Sequence, residues 1–479
     1  MTILRIVRLL PPALLLALLP LPARAAEPIR LHPDNPHYLL FRGKPTILLT
    51  SGEHYGSVLN RDFDYVRYLD ALQASGFNLT RTFAGNYREV PGSFGIIDNT
   101  LAPKSESYVC PWPRTGGSKA GDGLAKFDLR SFDPAYLDRL KDFVAQAGKR
   151  GIVVELVLFC TVYDDKLWNV NPMKASNNEQ GNGKVDRLEI YTLKDKELTA
   201  VQEALVRKIA AALKDCDNVY YEVCNEPYFG GVTREWTDHM VAVLVDAEKD
   251  FPYRHLIAQN IANGSAKIER PNANVSIFNF HYATPPDAVG VNYGLNRVIA
   301  DDETGFRGKE DRPYRTGAWD FFVASGGIFS NLDYSYSCQH PDGTAVVTTS
   351  PGGGGPELRR QLKILKEFME SFDLVKMRPD NGVIRGGSAS APIVGNPPEA
   401  RMSARVLAEP GRAYAIYLKG GTQAELSLNL PAGNYKAEWI NTKTGKVEKP
   451  EVIDHTGGER KISSPPYSED IALRIRWSP

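Results

Sequence analysis

Carboxylates that close apolar runs are the residues of first interest, because two of them facing one cleft can serve as acid/base and nucleophile on a glycosidic bond. The sharpest case is Tyr220-Tyr221-Glu222-Val223-Cys224-Asn225-Glu226-Pro227, an apolar run that ends in Asn-Glu-Pro. Glu303 ends another such run, Val298–Asp302, 77 residues further on. Other apolar runs end in polar groups suited to a sugar site: His54 and Tyr55, Arg81, Tyr163 and Asp164, His281 and Tyr282, and Asn331 with Asp333. A serine nucleophile elbow is missing from these ends. CxxC and HExxH are missing from the chain, so a zinc site and a bound cofactor have no support in it. Glu155 and Glu222 lie deep inside apolar runs and read as acids that structure an interior. Asp301 shares a strand face with Glu303 by two-residue periodicity and is the competing second carboxylate.

These residues need elements that bring them to one place. Strand-like runs recur at Thr46–Thr50, Phe77–Phe83, Ile152–Phe159, Val219–Val223, His255–Gln259, Ser276–His281, Val298–Asp302 and Gly327–Leu332. Amphipathic stretches at Asp62–Ser75, Pro134–Arg150, Lys196–Leu213, Trp236–Asp250 and Glu357–Glu370 alternate with them. Continuous apolar strands alternating with helices predict a parallel sheet covered on both faces. Eight strands over about 330 residues predict a (β/α)₈ TIM barrel, whose site lies at the C-terminal strand ends. No glycine fingerprint follows the first strand, so a dinucleotide fold has no support. Tyr38–Leu49, with Arg42-Gly43 at its centre, predicts a hairpin at the N-terminal end of the barrel.

Composition shifts near residue 380 to Pro, Gly, Ser and Asn, and short alternating runs follow at Ala413–Leu418, Ala424–Leu428, Tyr435–Asn441 and Ile471–Trp477. They predict a small all-β sandwich over residues 385–479 after a barrel domain over 26–380. Trp439 and Trp477 read as core of that sandwich. In the barrel, Trp168 in the polar loop 164–186 is the best candidate for a sugar platform, and Trp236 reads as helix core.

The 479 residues carry 57 Lys+Arg against 57 Asp+Glu, with 42% hydrophobic residues. A balanced charge without a basic cluster argues against nucleic acid as a partner. Arg5 and Arg8, the apolar run Leu9–Leu21 and Ala23-Arg24-Ala25 predict a cleaved signal peptide over residues 1–25. No later stretch is long and apolar enough for a membrane span, so a secreted or periplasmic monomer is expected. Five cysteines, Cys110, Cys160, Cys216, Cys224 and Cys338, form no disulfide framework; Cys160 and Cys224 read as buried thiols.

With Asn225-Glu226-Pro227 ending the fourth run and Glu303 the seventh, the chain resembles the cellulase-like glycoside hydrolases of clan A, the family 5 superfamily. The resemblance implies Glu226 as acid/base, Asn225 as ligand of the sugar 2-hydroxyl and Glu303 as nucleophile. It implies that Arg81 holds the nucleophile ionised, and that His281 and Tyr282 stand for a strand-six His and Tyr, though the clan often separates that pair by one residue. The third-strand His and eighth-strand Trp common in cellulases are not evident, which argues against cellulose as substrate. The C-terminal run Tyr414–Leu418, Leu430–Gly433 and Tyr435–Asn441 resembles a companion sandwich domain named for collagen binding. The expected function is therefore a secreted retaining O-glycosidase acting on a polysaccharide or oligosaccharide. His54, Trp168 and Asp333 are expected to contact substrate beside Asn225, Arg81, His281 and Tyr282, and an apolar wall with Tyr228 and Phe229 to raise the pKa of Glu226. The competing expectation is a glycan-binding adhesion protein built on the same barrel, without catalysis.

Overall fold

The computed structural model describes residues 27–387 and 402–478; the expected leader and part of the expected linker lie outside the described residues. Eight parallel strands, β1 Leu48–Gly52, β2 Leu79–Phe83, β3 Val153–Cys160, β4 Val219–Asn225, β5 Ile257–Asn263, β6 Ile277–His281, β7 Val298–Thr304 and β8 Ile328–Leu332, pair in the order β1-β8-β7-β6-β5-β4-β3-β2. The ladder is open between β1 and β2, where an asparagine side chain takes over. Asn78 Oδ1 accepts from the Leu49 amide at 3.0 Å, and its Nδ2 donates to the Ile47 carbonyl at 2.8 Å. Helices α1 Tyr65–Ala74, α2 Pro134–Lys149, α3 Lys196–Leu213, α4 Arg234–Ala247, α5 Asp287–Asn292, α6 Asp311–Val323 and α7 Pro356–Glu370 surround the barrel. Aspartates cap several of them: Asp64, Asp133 and Asp195 side chains accept first-turn amides of α1, α2 and α3.

Every residue of β3 and β4 is buried, because helices cover one face and the barrel interior the other. The expected hairpin forms from strands Leu39–Phe41 and Lys44–Thr46, turning at Arg42 (φ 48) and Gly43 (φ 78). Leu39 and Ile29 pack with Leu48, Leu79, Val153 and Val298, the first residues of their strands or close to them, and so seal the barrel's N-terminal end. The other end stays open.

The sandwich contains β9 Ser403–Glu409, β10 Ala413–Lys419, β11 Glu425–Leu430, β12 Gly433–Ile440, β13 Val447–His455, β14 Gly458–Ser463 and β15 Asp470–Trp477. β9, β10, β15, β12 and β13 form one antiparallel sheet, and β11 and β14 pair in the second. Tyr414, Ile416 and Leu418 of β10 point into the sandwich core. The intervening Ala415 and Tyr417 join the barrel's apolar cluster. Both faces of this strand are thus covered, which explains its unbroken apolar run from Ala413 to Leu418. Trp319 of α6 stacks on Tyr417 at 5.5 Å between ring centroids. Beside it the buried Arg315 donates to Asp470 at 2.6 Å and Glu469 at 2.7 Å. Trp477, expected in the core, is instead 42% exposed under the Arg412 guanidinium, because it ends β15 at the rim of the sheet.

Candidate active site

A strand alternates its side chains between faces, so two consecutive residues cannot both reach one cleft without a break in the backbone. Three such breaks occur at the open end of the barrel. Tyr55, Glu226 and Tyr282 follow their strands in left-handed conformation, with φ of 58°, 46° and 55°. This geometry is costly for residues with a Cβ and concentrates at functional sites. It turns Glu226 into the cleft beside Asn225, and Tyr282 beside His281. The separation that the clan often keeps between the strand-six His and Tyr is unnecessary here, because the positive φ swings the ring back.

A fourth break sets the second carboxylate. Phe280 pairs with Asp301 and His281 with Glu303, so Asp302 is the extra residue of a bulge in β7. Asp302 points into the barrel interior and Glu303 into the cleft, whereas Asp301 turns toward the loop after β6 and accepts from the Ala283 amide at 3.2 Å. Asp301 and Glu303 therefore do not share a face. Burial pushes the Asp301 carboxyl up to about 7.

The cleft is a cavity of about 580 Å³ lined by both Glu226 and Glu303, with His54, Tyr55, Asn225 and Tyr282 among its walls. One oxygen of Glu226, one of Glu303 and a nitrogen of His281 all lie within 4.8 Å of one another. The environments of the two carboxylates differ. Glu303 accepts from Tyr55 Oη at 2.9 Å and Tyr282 Oη at 2.8 Å, and Arg81 Nη1 stands 3.4 Å away. Glu226 accepts from Tyr163 Oη at 2.5 Å, and its other oxygen lies 3.0 Å from His281 Nδ1. Burial raises the Glu226 carboxyl, but His281, Tyr163 and Arg81 outweigh it and hold the group below its ordinary value. This corrects the expectation that an apolar wall would raise it. Tyr228 and Phe229 are present, but Tyr228 Oη is itself turned 3.4 Å from Glu226. His281 moves the other way: burial lowers it, and the charges of Glu303 and Glu226 raise it further than burial lowers it.

Beneath the two carboxylates, Arg81 is fully buried. Its guanidinium donates to Glu222 at 2.7 Å and Asn225 Oδ1 at 2.7 Å, reaches Asp302 at 3.3 Å, and lies 4.6 Å under the Tyr55 ring. Arg81 cannot touch a sugar; it positions Asn225 and Glu303 from below. Glu155 and Glu222 surround it, as expected of acids that structure the interior, and Asp302 joins them. Burial pushes the Glu155 and Asp302 carboxyls up, the Glu222 charge adds to both shifts, and the Arg81 guanidinium opposes them. Three ligand atoms of that cluster lie close enough for a cation, but the guanidinium already supplies the positive charge at its centre. The Glu226–His281–Glu303 set has the same spacing, and three tyrosine hydroxyls already occupy its carboxylate oxygens.

The remaining expected contacts divide. His54 lines the cleft and pairs with Glu89 at 3.3 Å. Trp168 does not: it is buried on the short helix Asp165–Val170, against a separate surface depression. Asp333 does not either. It is buried, and accepts from Arg359 at 2.6 Å and from the Gly355 amide at 3.0 Å, so it anchors the segment leading into α7. Trp112 and Trp236 are core. All five cysteines are free thiols, and Cys160 lines the cleft beside Asn225. Sequence reasoning missed Glu89 and Phe94, which sit in the long segment between β2 and α2, and Asn263 and Phe306, which end β5 and follow β7. The strand-end rule could have found the last two.

The sequence model of the family described as Cellulase (glycosyl hydrolase family 5) matches residues 67–290. A family 5 glycoside hydrolase from Bacteroides vulgatus ATCC 8482 superposes with a TM-score of 0.63 at 14% identity, covering 94% of this chain and 93% of that one. A second structure described as a glycoside hydrolase gives 0.62 at 16% identity, covering 94% and 97%. At those identities the superpositions speak for the fold: a barrel followed by a β domain over the full length. No curated protein matches the sequence.

Proposed function

We propose that this chain, a cellulase-like O-glycoside hydrolase on a clan A barrel, cleaves its carbohydrate substrate by the retaining route, with Glu226 and Glu303 as the working pair. Glu303 would attack the anomeric carbon as the glycosidic bond breaks, and Glu226 would protonate the departing oxygen. Water, deprotonated by Glu226, would then release the sugar from Glu303. The observation that carries this reading is the proximity of the two carboxylates, with oxygens within 4.8 Å. Carboxyl groups stand about 5–5.5 Å apart in retaining pairs and about 6.5–9.5 Å apart in inverting ones, which leave room for a water; oxygens this close suit the shorter class.

The contacts of each group support the division of labour. Glu303 accepts from two phenol hydroxyls and faces a guanidinium, contacts that hold its carboxylate in place for attack. Glu226 faces His281, and the two share a proton whose macroscopic titration belongs to the pair. That proton is available to a leaving oxygen although the Glu226 carboxyl alone is held low. Asn225 Nδ2 donates to Tyr163 Oη at 2.9 Å at the cleft wall, where a sugar hydroxyl could share it. The same reading includes export, with the leader over residues 1–25 removed, and action as a monomer.

The test is a pair of variants. Glu226→Gln should cripple turnover of glycosides with poor leaving groups and spare the first step on activated aryl glycosides, which leave without protonation. Glu303→Ala should lose both, and azide should restore the aryl reaction with inverted product. Full activity in Glu303→Ala would overturn the assignment.

A further inference from the structure

The cleft is asymmetric about its two carboxylates. On the Glu226 side its lining reaches solvent: Phe229 and Phe94 are 54% and 45% accessible, and Asn263 is exposed. On the side of β1, beside Glu303, the lining is buried. Tyr55 and Leu101 are 2% and 1% accessible, and the side chains of His54 and Glu89 10% and 4%.

Packing explains the closed side. Tyr334 fills the gap between Phe306 and His54, with ring centroids 6.1 and 6.3 Å from theirs, and His54 lies 5.3 Å from Tyr55. Rings at about 4.5–7 Å are in contact, so a sugar ring cannot pass between them. The wall continues in the segment after β2, where the Glu89 amide donates to the Leu101 carbonyl at 2.9 Å. The buried Glu53 fastens that segment to the end of β1. It accepts from the Thr100 hydroxyl and from the Gly56 and Ser57 amides, both at 2.9 Å.

Glu89 also gives the closed end an acceptor. Its carboxylate lines the cleft, with one oxygen 3.3 Å from His54 Nε2 and the other accepting from Asn99. Carboxylate oxygens accept more than one hydrogen bond, so a sugar hydroxyl can add to these partners. Such charge-assisted bonds are the stronger kind.

A proton donor must sit within about 2.6–3.2 Å of the oxygen it protonates, so the leaving chain runs out past Glu226, where the cleft is open. The sugar attacked by Glu303 lies over that residue, and any unit before it in the chain points toward Tyr55 and His54. Resting on the retaining assignment of Glu226 and Glu303, we infer that this side of the cleft is a blind end. The protein then acts on chain ends, removing a short unit from the nonreducing terminus, and Glu89 receives a hydroxyl of the terminal sugar. An internal sugar carries the rest of the chain on one of its oxygens. That oxygen has no proton to donate, and the wall leaves no space for the ring attached to it.

The test uses oligosaccharides of glucose, mannose, galactose and xylose in both anomeric linkages, labelled at the reducing end. Each is paired with a version capped by a bulky ether on the nonreducing sugar. Uncapped chains should shorten by one fixed short unit at a time, with the label kept on the remainder, and capped chains should resist. Glu89→Gln should lower kcat/KM on uncapped chains about tenfold, by loss of a charged acceptor. A chain whose terminal sugar lacks the contacted hydroxyl should lose the same factor in the wild type and nothing more in Glu89→Gln, which a merely structural role would not produce. Unchanged kcat/KM in Glu89→Gln overturns the part given to Glu89. Internal fragments, or capped chains cut as fast as uncapped ones, overturn the blind end and leave the retaining mechanism standing. End-wise cutting with inverted product overturns the mechanism and keeps the blind end. Where no chain is cut, calorimetry on the wild-type protein decides. Binding that the cap abolishes keeps the blind end and overturns catalysis, and equal binding of both versions, or none, overturns both.

Discussion

His281 Nδ1 lies 3.0 Å from Glu226 Oε1, and the two groups shift in opposite directions: the imidazole titrates above its ordinary value and the carboxyl below. In the proposed retaining mechanism the pair acts as one acid. Asn260 backs it from the far side: its side-chain amide is 2.6 Å from His281 Nε2, with Oδ1 otherwise unpartnered, so the reversed amide would accept the Nε2 proton. Nδ1 is left to face Glu226.

This arrangement predicts the basic limb of the pH–rate profile. The proton needed for leaving-group departure is lost when the pair titrates, above the usual histidine range near 6.5. His281→Gln removes the imidazole and leaves Glu226 to titrate as a carboxylic acid. The basic limb of kcat/KM should then move down by a unit or more, with the acidic limb less affected. An unmoved basic limb would show that His281 only holds Glu226 in place.

Asp301 yields a stability prediction. Its folded carboxyl titrates near 7, against an ordinary value of 3.8, because burial disfavours the charge. The folded state therefore binds more protons than the unfolded chain between about pH 4 and pH 7, and stability falls as pH rises through that window. Asp301→Asn keeps an acceptor for the Ala283 amide and removes the titration. The variant should gain on the wild type between pH 5 and pH 8, by an amount on the order of 2–4 kcal/mol. Thermal melting across that range checks it; parallel curves would refute it.

The sequence was most legible where one physical rule decided. The Lys196–Leu213 helix was read to the residue because Asp195 caps it and the apolar stripe is regular. The carboxylate pair was legible because both members end apolar strands. Asp301 was misread because period-two reasoning assumes a regular ladder, and the bulge at Asp302 breaks it. Trp168 and Asp333 were misplaced for another reason. Residue type suggested a sugar contact, but a long loop can turn a Trp into its own packing and give an Asp to a local arginine. β13 went unread as well, since Val447–His455 contains Pro450 and mostly exposed residues, as an edge strand tolerates.

The joint between barrel and sandwich carries the last prediction. Arg315 is 2% exposed, and its charge is met by Asp470 across the joint, with Glu469 and Gln361 completing its bonds. Asp470 also accepts from Tyr417, whose ring lies on Trp319. Removing one partner of a buried pair leaves the other uncompensated. Asp470→Ala should therefore cost about 2–3 kcal/mol, since Glu469 remains to share the charge, and lower Tm by several degrees. Replacing both partners, Arg315→Met with Asp470→Leu, should recover most of that loss, because no buried charge is then stranded. Ending the chain near residue 380 should do more harm than either change: it bares Arg315 together with the Trp319 face that β10 covers, and the barrel should aggregate on expression. A truncated barrel that melts at the full-length temperature would show that the joint holds two independently stable units.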